Sequence, residues 1–418
     1  MERASRILVF VALFGILYFV FSKMKGGGQE LQPIIHPTVL YAPHGDVPEQ
    51  VCDLWTKEYR ARVSSRGAVL KHLEPLSAKY KKHDVQLDLV TTPDHARVSP
   101  LFTSLLPGDS KEPSDTFLVT SDLQQFQLVH ASPSECRFEY KDDRVRIQKT
   151  FKADSGPYGL SVGLVIENVG SQPRSYALTT STSSYLKNAD VESKMFRTNP
   201  LTTRVECVGG DGSVKRSGVE DFEGSDFEDK ERFVRNDLNP GDWSEMPGVA
   251  SLTAVSNAYF TNAISHDAGP ATPVCQTQIE DRWNPKQFAS KSDDPNAAAF
   301  YKARLRYAPR ILAPGKSETF QFKAFVGPKE REALAAAGDR FDPLIDLGFF
   351  SIVAKVLVAF LLKVHSVIPN WGVAIVILTI TARVLLFPLS VPSIKNMIHM
   401  QKLKPEMTSE AMERVKLL

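Results

Sequence analysis

Apolar and polar positions along the chain fall into three regimes. The first is an uncharged apolar run over residues 7–21, with Arg3 and Arg6 before it and Lys23 and Lys25 after it. As a helix it covers roughly 22 Å, and snorkelling basic side chains extend it toward a bilayer core of about 30 Å. A cleaved signal peptide competes for this stretch. Its exit, Ser22-Lys-Met-Lys-Gly26, lacks a small-x-small cleavage site, so residues 6–22 are expected to form an uncleaved transmembrane signal anchor. With no Cys in the run, a lipoprotein anchor is excluded.

The second regime is polar, interrupted by short apolar runs. Residues 23–49, with Gly26-Gly-Gly28 and scattered prolines, read as a tether. Residues 50–340 read as β. The stretch 144–151 largely alternates polar and apolar with period two, as a strand with one wet face does. Residues 163–167 and 176–180 are rich in strand formers, and the intervening Asn168-Val-Gly-Ser-Gln-Pro173 suits a hairpin connection. Comparable runs lie at 86–91, 116–120, 249–255 and 318–326. Many short strands and few helical stretches predict an all-β sandwich, as one large domain or two fused halves. A short helix former over 329–337 stops at Gly338 and closes the domain.

The third regime, residues 349–389, is apolar again and too long for one span; Pro369-Asn370 divides it. Helical placement over 349–368 gathers Ser351, Lys355, Lys363, His365 and Ser366 into an arc of about 160°, the pattern of an amphipathic helix lying in the membrane interface. Residues 371–389 begin with an interfacial Trp371 and are long enough to cross. Beyond them, 393–418 is Met-rich and helical in character, with Lys395, Lys402, Lys404, Arg414 and Lys416. Basic residues outside both spans put the two ends in the cytoplasm and the β domain on the opposite side.

Arg383 changes the picture of the second span. It lies about 18 Å along the helix from Trp371 and about 10 Å from Ser390, where a guanidinium costs at least about 2.5 kcal/mol. It should therefore face water or a partner rather than lipid. Gly372, Val376, Thr379 and Ser390 fall closest to its line on the helix, and that strip suits a groove; Thr381 points away. Snorkelling of the long side chain to the nearer interface is the competing account.

Charge and motif chemistry narrow the rest. Fifty basic and 48 acidic residues leave a net charge of +2, so bulk charge gives no reason to expect nucleic-acid binding. The acidic stretch 220–232 does not have EF-hand spacing and reads as a solvated loop. Four cysteines, Cys52, Cys136, Cys207 and Cys275, allow two disulfides in three connectivities, and their spacing selects none. No Cys-x-x-Cys, His-Glu-x-x-His or Walker pattern is present, and neither metal nor nucleotide cofactor is expected. Gly159-Leu-Ser161-Val-Gly163 has nucleophile-elbow spacing, but the strand-like residues after it are the wrong context. His130 and His266 are the candidates for a sugar-type site in the β domain.

Several strings resemble the YidC family of bacterial membrane protein insertases: Phe325-Val-Gly-Pro-Lys329, Asn370-Trp-Gly-Val-Ala-Ile-Val-Ile-Leu-Thr379, Arg383 with Phe387-Pro-Leu389, and Met400-Gln-Lys-Leu-Lys-Pro405. The resemblance runs along the whole chain in order. It implies a large periplasmic β-super-sandwich similar to mutarotase-like folds, joined to transmembrane and amphipathic α-helices in a multi-pass inner-membrane protein. It also implies a chaperone that is not an enzyme and that inserts and helps fold inner-membrane proteins, alone or with the Sec translocon, without cofactors. The expected partners are nascent membrane proteins, the Sec translocon, the lipid bilayer and, at the cytoplasmic region, the ribosome. Arg383 matches the family's membrane arginine, with Thr379, Gly372 and Ser390 lining the substrate groove. Residues 393–418 then begin a cytoplasmic helical hairpin, and the chain is expected to be an N-terminal fragment lacking the remaining spans. The rival reading is a membrane-anchored periplasmic carbohydrate-binding or mutarotase-like module.

Overall fold

The chain pairs apolar positions across antiparallel strands. A computed structural model describes residues 48–82, 85–93, 99–106, 125–154, 156–187, 199–219, 243–281, 297–346 and 351–388, with 391, 395 and 397. The expected anchor 6–22, nearly all of the tether, the run 116–120, the acidic stretch 220–232, Ser390 and most of 393–418 lie outside the described residues. Two compact units divide at Ile345/Asp346.

Strands β1 (Val51–Trp55), β2 (Tyr59–Ser64) and β3 (Val69–Pro75) form a small antiparallel sheet, followed by the short pair β4 (Lys81–Lys82) and β5 (Val85–Gln86). Strand β6 (Phe102–Leu106) enters a six-stranded sheet. Then β7 (Gln127–Ala131), β8 (Glu135–Lys141), β9 (Val145–Ala153) and β10 (Gly159–Asn168) meander along one arm of a nine-stranded sheet. The longest strand, β11 (Arg174–Lys187), crosses back to the six-stranded sheet, where it pairs with β6. Strands β12 (Arg204–Gly209) and β13 (Val214–Ser217) make the far edge of the nine-stranded sheet, and β14 (Ser244–Met246) the edge of the other. Strands β15 (Ala250–Ser256) and β16 (Phe260–Ala268) rejoin the larger sheet; β17 (Pro273–Asp281), β18 (Ala298–Tyr307) and β19 (Arg310–Leu312) complete the smaller one. Strand β20 (Ser317–Pro328) closes the nine-stranded sheet between β16 and β10.

Period two explains the core. In β9, β10 and β20 alternate side chains turn inward, and the register aligns them: Phe151 with Val162, Val162 with Phe322, Leu164 with Phe320. The two large sheets face each other where β12 and β15 lie against β17 and β18. Mainly β architecture in stacked sheets, as the pattern predicts, is what forms. One expectation fails: β10 and β11 are not a hairpin. β10 pairs with β9 and β20, whereas β11 pairs with β6, β18 and β19, so residues 169–173 carry the chain from one sheet to the other. Their turn chemistry is real, and Asn168 Nδ2 donates to the carbonyls of Gln172 and Leu312. A turn signal, however, does not say which strand follows in the same sheet. The run 86–91 likewise contributes only Gln86 to a strand.

The disulfides also tie the layers. Cys52 of β1 bonds Cys136 of β8, and Cys207 of β12 bonds Cys275 of β17, each joining two different sheets. Helix α1 (Arg331–Ala337) ends at Gly338, whose φ of 125° is a conformation side chains disfavour. A 3-10 turn over Asp339–Leu344 follows and buries Phe341 and Leu344, which carries the β unit slightly past residue 340. Within Phe325-Val-Gly-Pro-Lys329, Phe325 packs on Tyr158 and Phe341, and Gly327 leaves room for Tyr158. A Cβ at Gly327 would sit 2.6 Å from Tyr158 Cβ. Gly327→Ala is therefore expected to destabilise the domain by about 1–3 kcal/mol, read as a lower urea midpoint with unchanged slope.

The second unit contains α2 (Ser351–Val367) and α3 (Trp371–Pro388). Pro369 follows α2, and Asn370 starts α3: its side-chain oxygen accepts from the Gly372 and Val373 amides, at 2.9 and 3.3 Å. The His365 and Trp371 rings stack with centroids 3.8 Å apart, closing the corner between the two helices.

Candidate functional site

Helix α3 is, among the described residues, the one helix long and apolar enough to cross a membrane, with mean hydropathy 2.0 over its 18 residues. Arg383 is exposed on it, as are Thr379 and Gly372. At 100° per residue, Thr379 and Gly372 lie within about 40° of Arg383, so the helix brings these three to one strip. The fourth expected member, Ser390, lies outside the described residues. Thr379 Oγ1 donates to the Ile375 carbonyl at 2.8 Å, and Thr381 Oγ1 to that of Ile377, also at 2.8 Å. Both hydroxyl protons are thereby used within the helix, as an apolar surrounding demands, and Thr379 offers the strip an acceptor oxygen rather than a donor. The corner His365–Trp371 was not foreseen from the sequence. The Pro369-Asn370 break was its visible signal, but stacking across a break depends on the path of the turn.

The β unit gives the other candidates no common site. Gly159 to Gly163 lies wholly within β10, so the nucleophile-elbow spacing meets no turn, and Ser161 Oγ donates to Asp154 at 2.6 Å. His130 is exposed on β7, the edge of the nine-stranded sheet, and His266 sits on β16, five strands away. At about 4.8 Å per strand that separation is roughly 24 Å, too far for shared chemistry. His266 is instead tied into the core: its Nδ1 shares a 2.8 Å hydrogen bond with the Tyr307 hydroxyl, and Tyr307 packs on Phe320 and Phe322. Burial, reinforced by Arg340, holds the His266 imidazole below its usual range. Arg340 also donates to the His266 carbonyl and pairs with Asp267 at 3.3 Å.

Residues 52–360 match the family model described as the YidC periplasmic domain, about three quarters of the chain. The chain belongs to the YidC family. Residues 363–414, which include α3 and Arg383, match a second family model, the 60Kd inner membrane protein. Curated YidC relatives carry the name membrane protein insertase YidC. The one from Burkholderia cenocepacia is 27% identical over 369 residues, covering 86% of this chain and 58% of its own length. That from Paraburkholderia xenovorans is 25% identical over 397 residues, covering 90% and 62%. The chain thus spans about three fifths of the length of these relatives. Among solved structures, a galactose mutarotase-like protein from Lactobacillus casei is 12% identical with a TM-score of 0.40, covering 66% of this chain and 100% of its own. A putative aldose 1-epimerase from Escherichia coli is 13% identical, also at 0.40, covering 67% and 100%.

Proposed function

We propose that these residues serve a membrane protein insertase and chaperone of the inner membrane, in which Arg383, Thr379, Gly372 and Ser390 line a water-accessible groove that receives the polar part of an entering substrate. One observation carries this reading: a guanidinium stands on the strip of Gly372 and Thr379 well inside the apolar helix α3. A simple anchor has no use for a charge that costs at least about 2.5 kcal/mol at that depth. In a wet groove with low-dielectric walls, the cation attracts acidic or polar segments and lowers the cost of moving them partway across.

The sidedness follows the same logic. Two disulfides suit an oxidising compartment, which favours the periplasm for the β unit, and basic residues favour the cytoplasm for both ends. Helix α2, with Lys355 and Lys363 on one arc and exposed Val353, Val356 and Leu357 elsewhere, suits the periplasmic interface. The partners in this reading are nascent membrane proteins, the lipid bilayer, the Sec translocon and the ribosome at 393–418.

In the complete protein, Arg383→Leu is expected to lower insertion of substrates with acidic translocated tails about tenfold, the equivalent of ~1.4 kcal/mol, while Arg383→Lys keeps most of it. Protease protection of substrate in proteoliposomes measures this. Equal insertion by wild type and the leucine variant rejects the groove.

A further inference from the structure

Lys149 has no part in the insertase reading, and its surroundings are unusual for an amine. It lies on β9 in phase with Val145, Ile147 and Phe151, so the alternation that buries them leaves it 1% exposed. The register sets Phe138 of β8 on one side of it and Leu164 of β10 on the other. Its amine donates to the Leu101 carbonyl at 2.5 Å and lies 5.2 Å from the centre of the Phe151 ring. Leu101 has a φ of 64°, a backbone conformation that leucine adopts only at a cost. Strand β6, of the six-stranded sheet, begins at the next residue. One hydrogen bond thus ties the strained approach to β6 onto β9 of the opposite sheet.

Beside the amine is a small cavity lined by Thr103, Leu105, Phe126, Ile147, Lys149 and Leu164, with room for about one water. Thr103 Oγ1 is buried and has no hydrogen-bond partner among the described residues. An ammonium carries three donors. The closed site answers two of them, with the Leu101 carbonyl and the face of Phe151; a water accepting the third could donate onward to Thr103 Oγ1.

We propose that the cavity between Lys149 and Thr103 is a proton-linked hydration site, where the closed latch of Leu101 onto β9 keeps the amine neutral and uptake of a proton accompanies opening of the start of β6 and entry of water. The groups facing the amine are Phe138 from β8, Leu164 from β10, Thr103 and Leu105 from β6, Phe126 from the segment before β7, and Ile147 and Phe151 on its own strand. None of these titrates. Burial alone brings the amine down from 10.5 to about 7. Because the folded value lies below the unfolded one, protection is fullest above about 10.5, weakens as pH falls toward about 7, and levels off below that.

The test uses the full chain in detergent, with hydrogen exchange of residues 99–106 corrected for intrinsic rates. Between about pH 8.5 and about pH 6.5, the opening constant is expected to rise about twentyfold in the wild type and to stay level in Lys149→Met, which keeps the length and lacks the proton. The same pH response in both overturns the latch. Should Lys149→Met not fold, carbon NMR of labelled lysine Cε in the wild type decides: a resonance titrating below about pH 8.5 supports the site, and none overturns it. Thr103→Val is expected to push that midpoint lower still, since the water loses its second anchor; an unchanged midpoint overturns the bridge.

Discussion

Replacing Cys207 and Cys275 together by alanine is expected to cost the β unit about 4 kcal/mol. The bond closes a loop of 68 residues, and the chain-entropy cost of leaving such a loop open in the unfolded state sets that figure. Replacing Cys52 and Cys136, which are 84 residues apart, is expected to cost a similar amount. Alanine is preferred to serine because Cys136, Cys207 and Cys275 are buried and a hydroxyl there would add its own penalty. The two bridges join different pairs of sheets, β1 to β8 and β12 to β17, so their losses should add. Against a typical total of about 5–15 kcal/mol, removing both leaves little stability. Denaturant midpoints of the full chain in detergent, with and without reductant, measure this. A wild type whose midpoint ignores reductant contradicts it. The same reasoning ties fold to compartment: a β unit kept in a reducing compartment should show free thiols and the lower midpoint.

Glu206→Ala is expected to destabilise the same unit by about 3–5 kcal/mol. Glu206 is 2% exposed on β12, with Arg216 Nε at 3.2 Å and Lys329 Nζ at 3.6 Å. Removing the carboxylate leaves two largely buried cations without the anion they share. The effect should reach the end of the unit, because Arg216 Nη2 also donates to the Pro343 carbonyl at 2.6 Å and so holds the 3-10 turn that leads out toward α2. The expected result is a lower denaturant midpoint together with faster hydrogen exchange over 339–345. Replacing Glu206, Arg216 and Lys329 all by apolar residues of similar size should cost far less than Glu206→Ala, since no charge then stays buried. Should the triple replacement cost as much as the single one, the loss belongs to packing and not to the ion cluster.

Lys149 was legible in part. The alternation over 144–151 already puts position 149 on the face of Val145, Ile147 and Phe151, and a lysine in that phase is a conflict between charge and pattern. What the pattern could not say is that Leu101, far away in the chain, supplies the carbonyl that accepts its hydrogen bond. Glu206 gave no such signal, because its two cations come from a neighbouring strand and from the residue just after β20. The strip on α3 was readable in full as far as it is described. Gly372, Thr379 and Arg383 share one helix, and helical spacing is a local property.

By itself, then, the sequence determined what neighbours a few residues apart can settle: strands where polarity alternates, helices where apolar runs are long, the break at Pro369-Asn370 and the line of residues around Arg383. Only the tertiary structure decided which strands share a sheet, which cysteines pair and which charges are buried. Those outcomes depend on side chains brought together over tens to hundreds of residues, where closure entropy and packing of the whole core choose among partners that local pattern leaves equivalent. The passage from β10 to β11 shows the limit, since a turn of hairpin character there changes sheets instead of pairing its two strands.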